Sequence, residues 1–292
     1  MSERMFRLQW DRWTLDLGSA RTCLMGILNV TPDSFSDGGE FFEQEDAVSQ
    51  GLRLEDQGAD ILDIGGESTR PFSDLVSAEE EIRRVVPVIE ALAGRVSIPI
   101  SIDTNKAAVA RRALDAGAAI INDIGALRLD PEMAPLAAAR KLPIVLMHML
   151  GVPKTMQVAP HYDEVVTDIR DFLAQAIDRA TQAGIARDRI IIDPGIGFGK
   201  TLVHNLAIIR RLPEISSLDC PILMGPSRKA FVRNILKNAS SKGSDPERDR
   251  IIDGTMGAVA ACIWNGAHIL RVHDVGRVRA MADVIDAIRT AQ

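Results

Sequence analysis

The chain has 292 residues, 46% of them hydrophobic, and a formal net charge of -6 at pH 7. That length is close to the roughly 250 residues of one (β/α)8 barrel, and the apolar content suffices for one large core, so a single domain over residues 1–292 is expected. The negative balance provides no general field to draw the chain to nucleic acid or to an anionic membrane, and any anion site must be local.

In chain order, residues 6–10 and 13–17 alternate apolar with polar about Asp11-Arg12, the period of a β-hairpin with one buried face. This N-terminal hairpin, within residues 1–21, is expected to plug the bottom of a barrel. Residues 1–21 mix charges without an apolar stretch of signal-peptide length, and no run reaches the ~20 residues a membrane helix needs. Cys23, Cys220 and Cys262 sit unevenly in or beside apolar runs, which suits reduced thiols better than a disulfide framework. A cytoplasmic protein is expected.

Eight short apolar runs follow, at 24–28, 61–64, 98–102, 118–121, 144–147, 190–192, 222–224 and 268–270. Each stops at polar or charged groups: Asn29; Glu67 and Thr69; Asp103; Asn122; His148; Asp193; Ser227-Arg228-Lys229; and Arg271 with His273. Stretches of helical period at 44–57, 78–92, 106–116, 131–140, 162–183, 203–212, 253–264 and 278–289 lie between or after them. Strand alternating with helix eight times predicts a (β/α)8 TIM barrel, whose chemistry sits at the strand C-termini. Asp130 before Pro131 reads as a cap with a first-turn proline. Residues 238–250 are polar, contain Gly243 and Pro246, and are expected to form a mobile excursion before the last strand.

A weak internal repeat supports the barrel. Gly58, Gly117 and Gly266 each end a helical stretch, where a left-handed residue turns the chain into a strand. Asp63, Asn122 and Arg271 all lie five residues past their glycine, so they should stand at similar heights in their strands.

Lys200-Thr201 after a glycine-rich segment suggests a nucleotide loop, but position 194 holds proline where a P-loop needs glycine, and Lys200 occupies the last glycine position of the dinucleotide fingerprint. What remains is a loop whose backbone can approach a flat ligand closely. The histidines at 148, 161, 204, 268 and 273 and the three cysteines form no zinc pattern. His161 and His204 read as surface or capping groups, and His148 as a packed polar group. Arg271 and His273, two apart, suit a phosphate at a barrel mouth, the alternative being a salt bridge from His273 to Asp274 or a neighbour. Asp103, Asn122 and Asp193 offer carboxylate and carboxamide edges to a planar heterocycle rich in N–H donors. The segment 29–39 is a polar loop resembling a lid, and Asn29 offers the hard oxygen that Mg2+ prefers.

Together these segments resemble the dihydropteroate synthase family. The resemblance is carried by Met25-Gly26-Ile27-Leu28-Asn29-Val30-Thr31-Pro32-Asp33-Ser34-Phe35-Ser36-Asp37-Gly38-Gly39, Gly66-Glu67-Ser68-Thr69-Arg70-Pro71, Ser101-Ile102-Asp103-Thr104, Ile121-Asn122-Asp123, Asp193-Pro194-Gly195, Ser227-Arg228-Lys229 and Arg271-Val272-His273-Asp274. It implies joining of (7,8-dihydropterin-6-yl)methyl diphosphate to 4-aminobenzoate, giving 7,8-dihydropteroate and diphosphate. By that match Asp103, Asn122, Ile124, Met147, Asp193, Phe198, Gly225, Lys229 and Arg271 bind the pterin. Asn29, Thr69, Arg271 and His273 bind diphosphate, with Asn29 on Mg2+. Phe35, Thr69, Arg70, Pro71, Phe198 and Ser227 form the 4-aminobenzoate subsite. Asp103, Lys229, Arg271, His273, Asp33 and Phe35 serve the chemistry itself.

The chain departs from the family pattern at Pro226, Ala230 and Ile196, which border the second-substrate pocket. Two other readings share these residues. One is a methyltetrahydrofolate-dependent methyltransferase, which would have no use for a diphosphate grip; the other is a pterin-binding homologue without turnover. Met256, Val259, Ile263 and Trp264 share an apolar helix face that suits either packing on the barrel or a subunit interface. The family resemblance implies a homodimer.

Overall fold

The computed structural model describes residues 4–18, 21–31, 40–67, 76–151, 155–239 and 247–291, with backbone alone over 40–43. Strands β1 (Phe6–Trp10) and β2 (Trp13–Leu17) pair antiparallel in the register Phe6↔Leu17 to Trp10↔Trp13. Asp11 takes a φ of 42° in the two-residue turn, a left-handed conformation that Asp tolerates better than most residues.

Eight parallel strands follow: β3 (Cys23–Asn29), β4 (Ile61–Gly65), β5 (Ile100–Asp103), β6 (Ile120–Asp123), β7 (Ile144–Met147), β8 (Ile190–Asp193), β9 (Leu223–Met224) and β10 (Ile269–Val272). Their order is β8-β7-β6-β5-β4-β3-β10-β9, and an isolated parallel bridge from Ile192 to Ile222 brings the two ends together. The predicted TIM barrel is therefore present. Strand β9 is short because Pro221 and Pro226 flank it, and proline cannot donate to a ladder.

Around the barrel lie α1 (Glu40–Asp56), α2 (Ala78–Ala93), α3 (Ala107–Asp115), α4 (Met133–Arg140), α5 (Val165–Gln182), α6 (Leu202–Arg210), α7 (Leu212–Ile215), α8 (Ala230–Asn238), α9 (Arg248–Trp264) and α10 (Val275–Thr290). Helix α4 begins at Met133, two residues past the expected Pro131, and Asp130 does not cap it; the short α7 was not expected, and α8 and α9 differ further. Helix α8 follows the seventh barrel strand, where no helix was expected. Phe231 and Val232 give it a narrow buried face, and Gly254 of α9 lets it approach: a Cβ there would lie 2.7 Å from Val232 Cγ1. Helix α9 begins at Arg248 rather than near 253; its charged first turn, Arg248-Asp249-Arg250, carries no apolar period by which the sequence would mark it as helix. Of the expected excursion, 240–246 lies outside the described residues, and 248–250 are helical.

Two core layers follow from strand periodicity. Alternate strand residues, among them Leu62, Ile102, Ile121, Leu146, Ile192 and Leu270, pack outward beneath the helices. Inside the barrel, Met25, Ile61, Ile120, Val145, Ile191, Leu223 and Ile269 form an apolar layer with Leu8, Trp10, Leu15 and Leu17 of the hairpin. The hairpin thus plugs the N-terminal end of the barrel. Gly58, Gly117 and Gly266 have φ of 95°, 117° and 95°, the left-handed turns expected between helix and strand. Cys23, Cys220 and Cys262 are buried free thiols. No helix among the described residues is long and apolar enough to cross a membrane.

Candidate active site

Side chains of a strand alternate between faces, so the inward residue two positions past the apolar layer opens toward the C-terminal mouth. Taken from β3 round to β10, these residues are Ile27, Asp63, Asp103, Asn122, Met147, Asp193, Gly225 and Arg271. One pleat therefore converts an oily floor into a ring of charged and amide groups. Two residues past Ile27, Asn29 ends β3 half-buried.

The Arg271 guanidinium joins that ring. Its Nε donates to Asp63 Oδ2 at 2.5 Å and its Nη2 to Asp103 Oδ2 at 2.6 Å, while Asn122 Nδ2 donates to the same Asp63 oxygen at 3.1 Å. Asp63, Asn122 and Arg271, grouped by their spacing from glycine, do meet at one height. Burial opposes the charge on Arg271, but Asp63 and Asp103 hold it protonated. Burial drives Asp103 up to about 7, against the pull of Arg271 and with Asp63 and Glu81 adding to the rise. The other oxygens of Asp63 and Asp103 are buried without a hydrogen-bond partner, a condition that calls for donors from a ligand or from water.

Asp193 is held differently. Its Oδ1 accepts from the Gly195 amide at 2.7 Å. Burial pushes it up to about 6, opposed by that bond and by Lys229, Lys200 and Arg271. The ammonium of Lys229 lies 4.1 Å from the centre of the Phe198 ring, a cation–π distance. Burial and Arg271 lower it to about 8, opposed by Asp193 and Asp103. Asp103, Asn122, Ile124, Met147, Asp193, Ile196, Phe198, Gly225, Lys229 and Arg271 together line one narrow cleft. All nine residues expected at a pterin are among them, with Ile196, one of the departures, as the tenth.

Phe198 reaches the cleft from the 195–199 loop. Gly195, Gly197 and Gly199 all have positive φ, and a Cβ on Gly195 would fall 1.9 Å from the His148 carbonyl oxygen, so only glycine fits there. The loop is tied by Gln157 Nε2 to the Gly197 carbonyl at 2.5 Å, the Gly197 amide to Asn205 Oδ1 at 2.8 Å and Tyr162 Oη to the Gly199 carbonyl at 2.8 Å. His204 joins Thr201 in a capping box and His161 is exposed, as their sequence settings suggest.

His273 lies 3.0 Å, through Nδ1, from Ser227 Oγ, which also accepts its backbone amide at 3.2 Å. Burial lowers it to about 3, with Arg228 and Arg271 adding to the effect, so the imidazole is neutral. The alternative of a salt bridge from His273 to Asp274 is not what forms. Asp274 pairs with Arg228, whose Nε approaches Oδ2 at 3.0 Å. Asp33, Phe35, Thr69, Arg70 and Pro71 lie outside the described residues.

Sequence reasoning gave Asp63 a height but no role. Its partners come from β6 and β10, and only folding brings them to it. Lys200, dismissed along with the nucleotide motif, is also buried at this site.

A parallel barrel with a polar ring and an aromatic wall at its mouth agrees with a pterin-binding enzyme, and residues 25–273 match the family model described as pterin binding enzyme. A dihydropteroate synthase of Synechocystis is 45% identical over 268 residues, 92% of this chain and 90% of the relative. Two solved structures of Xanthomonas albilineans dihydropteroate synthase also match. The one with 4-aminobenzoic acid has a TM-score of 0.90 at 42% identity, covering 99% of this chain and 100% of that one. The complex with 7,8-dihydropteroate has a TM-score of 0.86 at 40% identity, covering 98% and 100%. The chain belongs to the dihydropteroate synthases, transferases of folate biosynthesis.

Proposed function

We propose that this chain condenses (7,8-dihydropterin-6-yl)methyl diphosphate with 4-aminobenzoate, releasing diphosphate and 7,8-dihydropteroate. The observation that carries the reading is the cleft itself: Asp193 and the unpartnered Asp103 oxygen offer acceptors to a pterin's amino and ring N–H groups, between Met147, Ile124 and Phe198 as walls. Asn122 and Lys229 supply further polar contacts and Gly225 leaves room for the ring. Arg271 lies across the cleft and, with His273 and Thr69, accounts for the diphosphate oxygens. Phe35, Thr69, Arg70, Pro71, Phe198 and Ser227 form the aminobenzoate subsite, bordered by Pro226 and Ala230.

The chemistry follows from these groups. The C–O bond to diphosphate breaks as cations stabilise the growing charge, the electron-rich dihydropterin carries positive charge at its exocyclic carbon, and the aromatic amine attacks that carbon and gives up one N–H proton to the released diphosphate or to solvent. Asp103 and Lys229 hold the ring through this step, with Asp33 and Phe35 assigned to the chemistry by the family resemblance. No activated nucleophile is needed.

Mg2+ fits the donor set in one way. Asn29, which ends β3 half-buried, is the oxygen donor we assign to it. Magnesium characteristically keeps its waters and takes phosphate oxygens plus one or two protein ligands. When bound, it would neutralise diphosphate charge.

One catalytic domain over residues 1–292, resident in the cytoplasm as a homodimer, completes the reading. Buried reduced thiols agree with that compartment. Of the helix face expected at a subunit interface, Val259 and Ile263 are buried within the protomer, whereas Trp264 is exposed along with Val284 and Ile288 of α10. A monomeric mass by light scattering at micromolar concentration would overturn the dimer.

The test of function is diphosphate release by the purified protein, omitting Mg2+, pterin diphosphate and 4-aminobenzoate in turn. Release that needs all three is expected. Tight pterin binding without aminobenzoate-dependent release would instead describe a non-catalytic homologue, and no binding would favour the methyltransferase.

A further inference from the structure

Lys200 is 3% exposed, and the reaction outlined above gives it no task. Its ammonium lies 2.9 Å from His148 Nδ1, 2.9 Å from the Phe198 carbonyl oxygen and 3.5 Å from the His148 carbonyl oxygen. Three N–H donors thus meet three neutral acceptors. His148, held between Phe172 and Tyr162 with ring centres 4.7 and 5.9 Å away, is itself neutral, since burial and the charges of Lys200 and Arg128 lower it to about 2. A buried ammonium without a contacting carboxylate is costly to maintain and needs a reason. One anchor, Phe198, lines the cleft with its ring by Lys229; the other, His148, lies behind that wall, where its carbonyl is the surface against which Gly195 packs.

We propose that Lys200 positions the pterin subsite, its ammonium fixing the Phe198 carbonyl and the His148 ring from behind the wall of the cleft. The proposal rests on the pterin reading of the cleft. The charged and titratable groups facing Lys200 and Asp193 are Lys229 and Arg271 across the cleft, Asp103 through Lys229, Cys262 behind Asp193, and His148 and His204 beside Lys200. Burial lowers Lys200 to about 7, with Asp193 opposing the shift. Asp193 and Lys200 therefore support each other's charged forms. A pterin whose N–H groups need an ionised acceptor at Asp193 draws on that support, although Lys200 never touches the ligand.

The experiment is calorimetric titration of full-length wild type, K200M and K200Q with the pterin diphosphate between pH 5 and 8, beside thermal melting of each protein. In K200M, pterin affinity at pH 7 should fall about tenfold, and the pH at which binding is lost should move up by about one unit, because removing a cation makes a carboxylate harder to ionise. K200Q can still donate to the Phe198 carbonyl, so it should show the same pH shift with a smaller loss of affinity, and it carries the test if K200M does not fold. With Asp193→Asn as background, K200M should cause no further pH shift. A folded K200 variant that binds with wild-type affinity and an unmoved pH midpoint overturns the proposal and leaves the pterin reading intact. A wild-type protein that does not bind the pterin at all overturns both.

Discussion

Asp63 is fully buried, accepts hydrogen bonds from Asn122 and Arg271 on one oxygen, and leaves the other without a partner. It is the counter-ion that lets a guanidinium sit inside a barrel. Taking one partner from a buried pair leaves a charge uncompensated at a cost of about 3–5 kcal/mol, and here Asp103 would still contact Arg271. Asp63→Ala should therefore lose roughly 3 kcal/mol of stability by chemical denaturation, and diphosphate release should fall as the guanidinium leaves its place. Undiminished stability would mean that Asp103 alone suffices. Asp193 gives a second expectation at this scale. With its carboxyl at about 6, Asp193 should contribute a component of the pterin affinity that falls about tenfold per unit below that pH, as protonation removes the acceptor. Asp193→Asn should abolish that part of the pH dependence. A profile identical in the variant would move the titration to another group, Asp103 first.

The elements of the barrel were largely legible because each inner strand position is fixed by a two-residue period. Runs ending in Asp103, Asn122, Asp193 and Arg271 put those side chains at the mouth by strand periodicity alone. Helix α8 was missed because its apolar face is only Phe231, Val232 and a turn beyond, too short to show a period beside the Ser227-Arg228-Lys229 segment. The hydrogen bonds of Lys200 to His148 and of Arg228 and Ser227 to residues 273 and 274 join segments dozens of residues apart, and no local pattern encodes them. The glycine turns were legible, since only glycine takes that backbone cheaply. At Gly117 an added Cβ would lie 2.6 Å from Ala93 Cβ with φ at 117°, so Gly117→Ala should destabilise by about 1–3 kcal/mol. Gly94, with an ordinary φ of -92° and open space around it, should accept alanine without loss, and urea titration of the two variants separates backbone conformation from glycine as such.

At the scale of the whole molecule, the outer core between strands and helices and the inner core between strands and hairpin are distinct, and the hairpin contributes only to the second. Leu17, 1% exposed, packs there beneath the polar ring. Leu17→Ala should cost about 2–5 kcal/mol in denaturant while pterin affinity is unchanged, since the apolar layer separates the two. A matching loss of affinity would show that the floor of the cleft moves with the plug.

The plug has a further consequence for the order of events in turnover. With Trp10, Leu8 and Leu17 across the N-terminal end of the strands, the barrel is a cul-de-sac, and whatever lies against Asp193 leaves by the mouth through which it came. A molecule seated nearer the mouth blocks that traffic. The deeper ligand must then be first in and, once joined to the outer one, can leave only with it, so a compulsory sequence of binding is imposed by the shape of the vessel before any difference in affinity is considered.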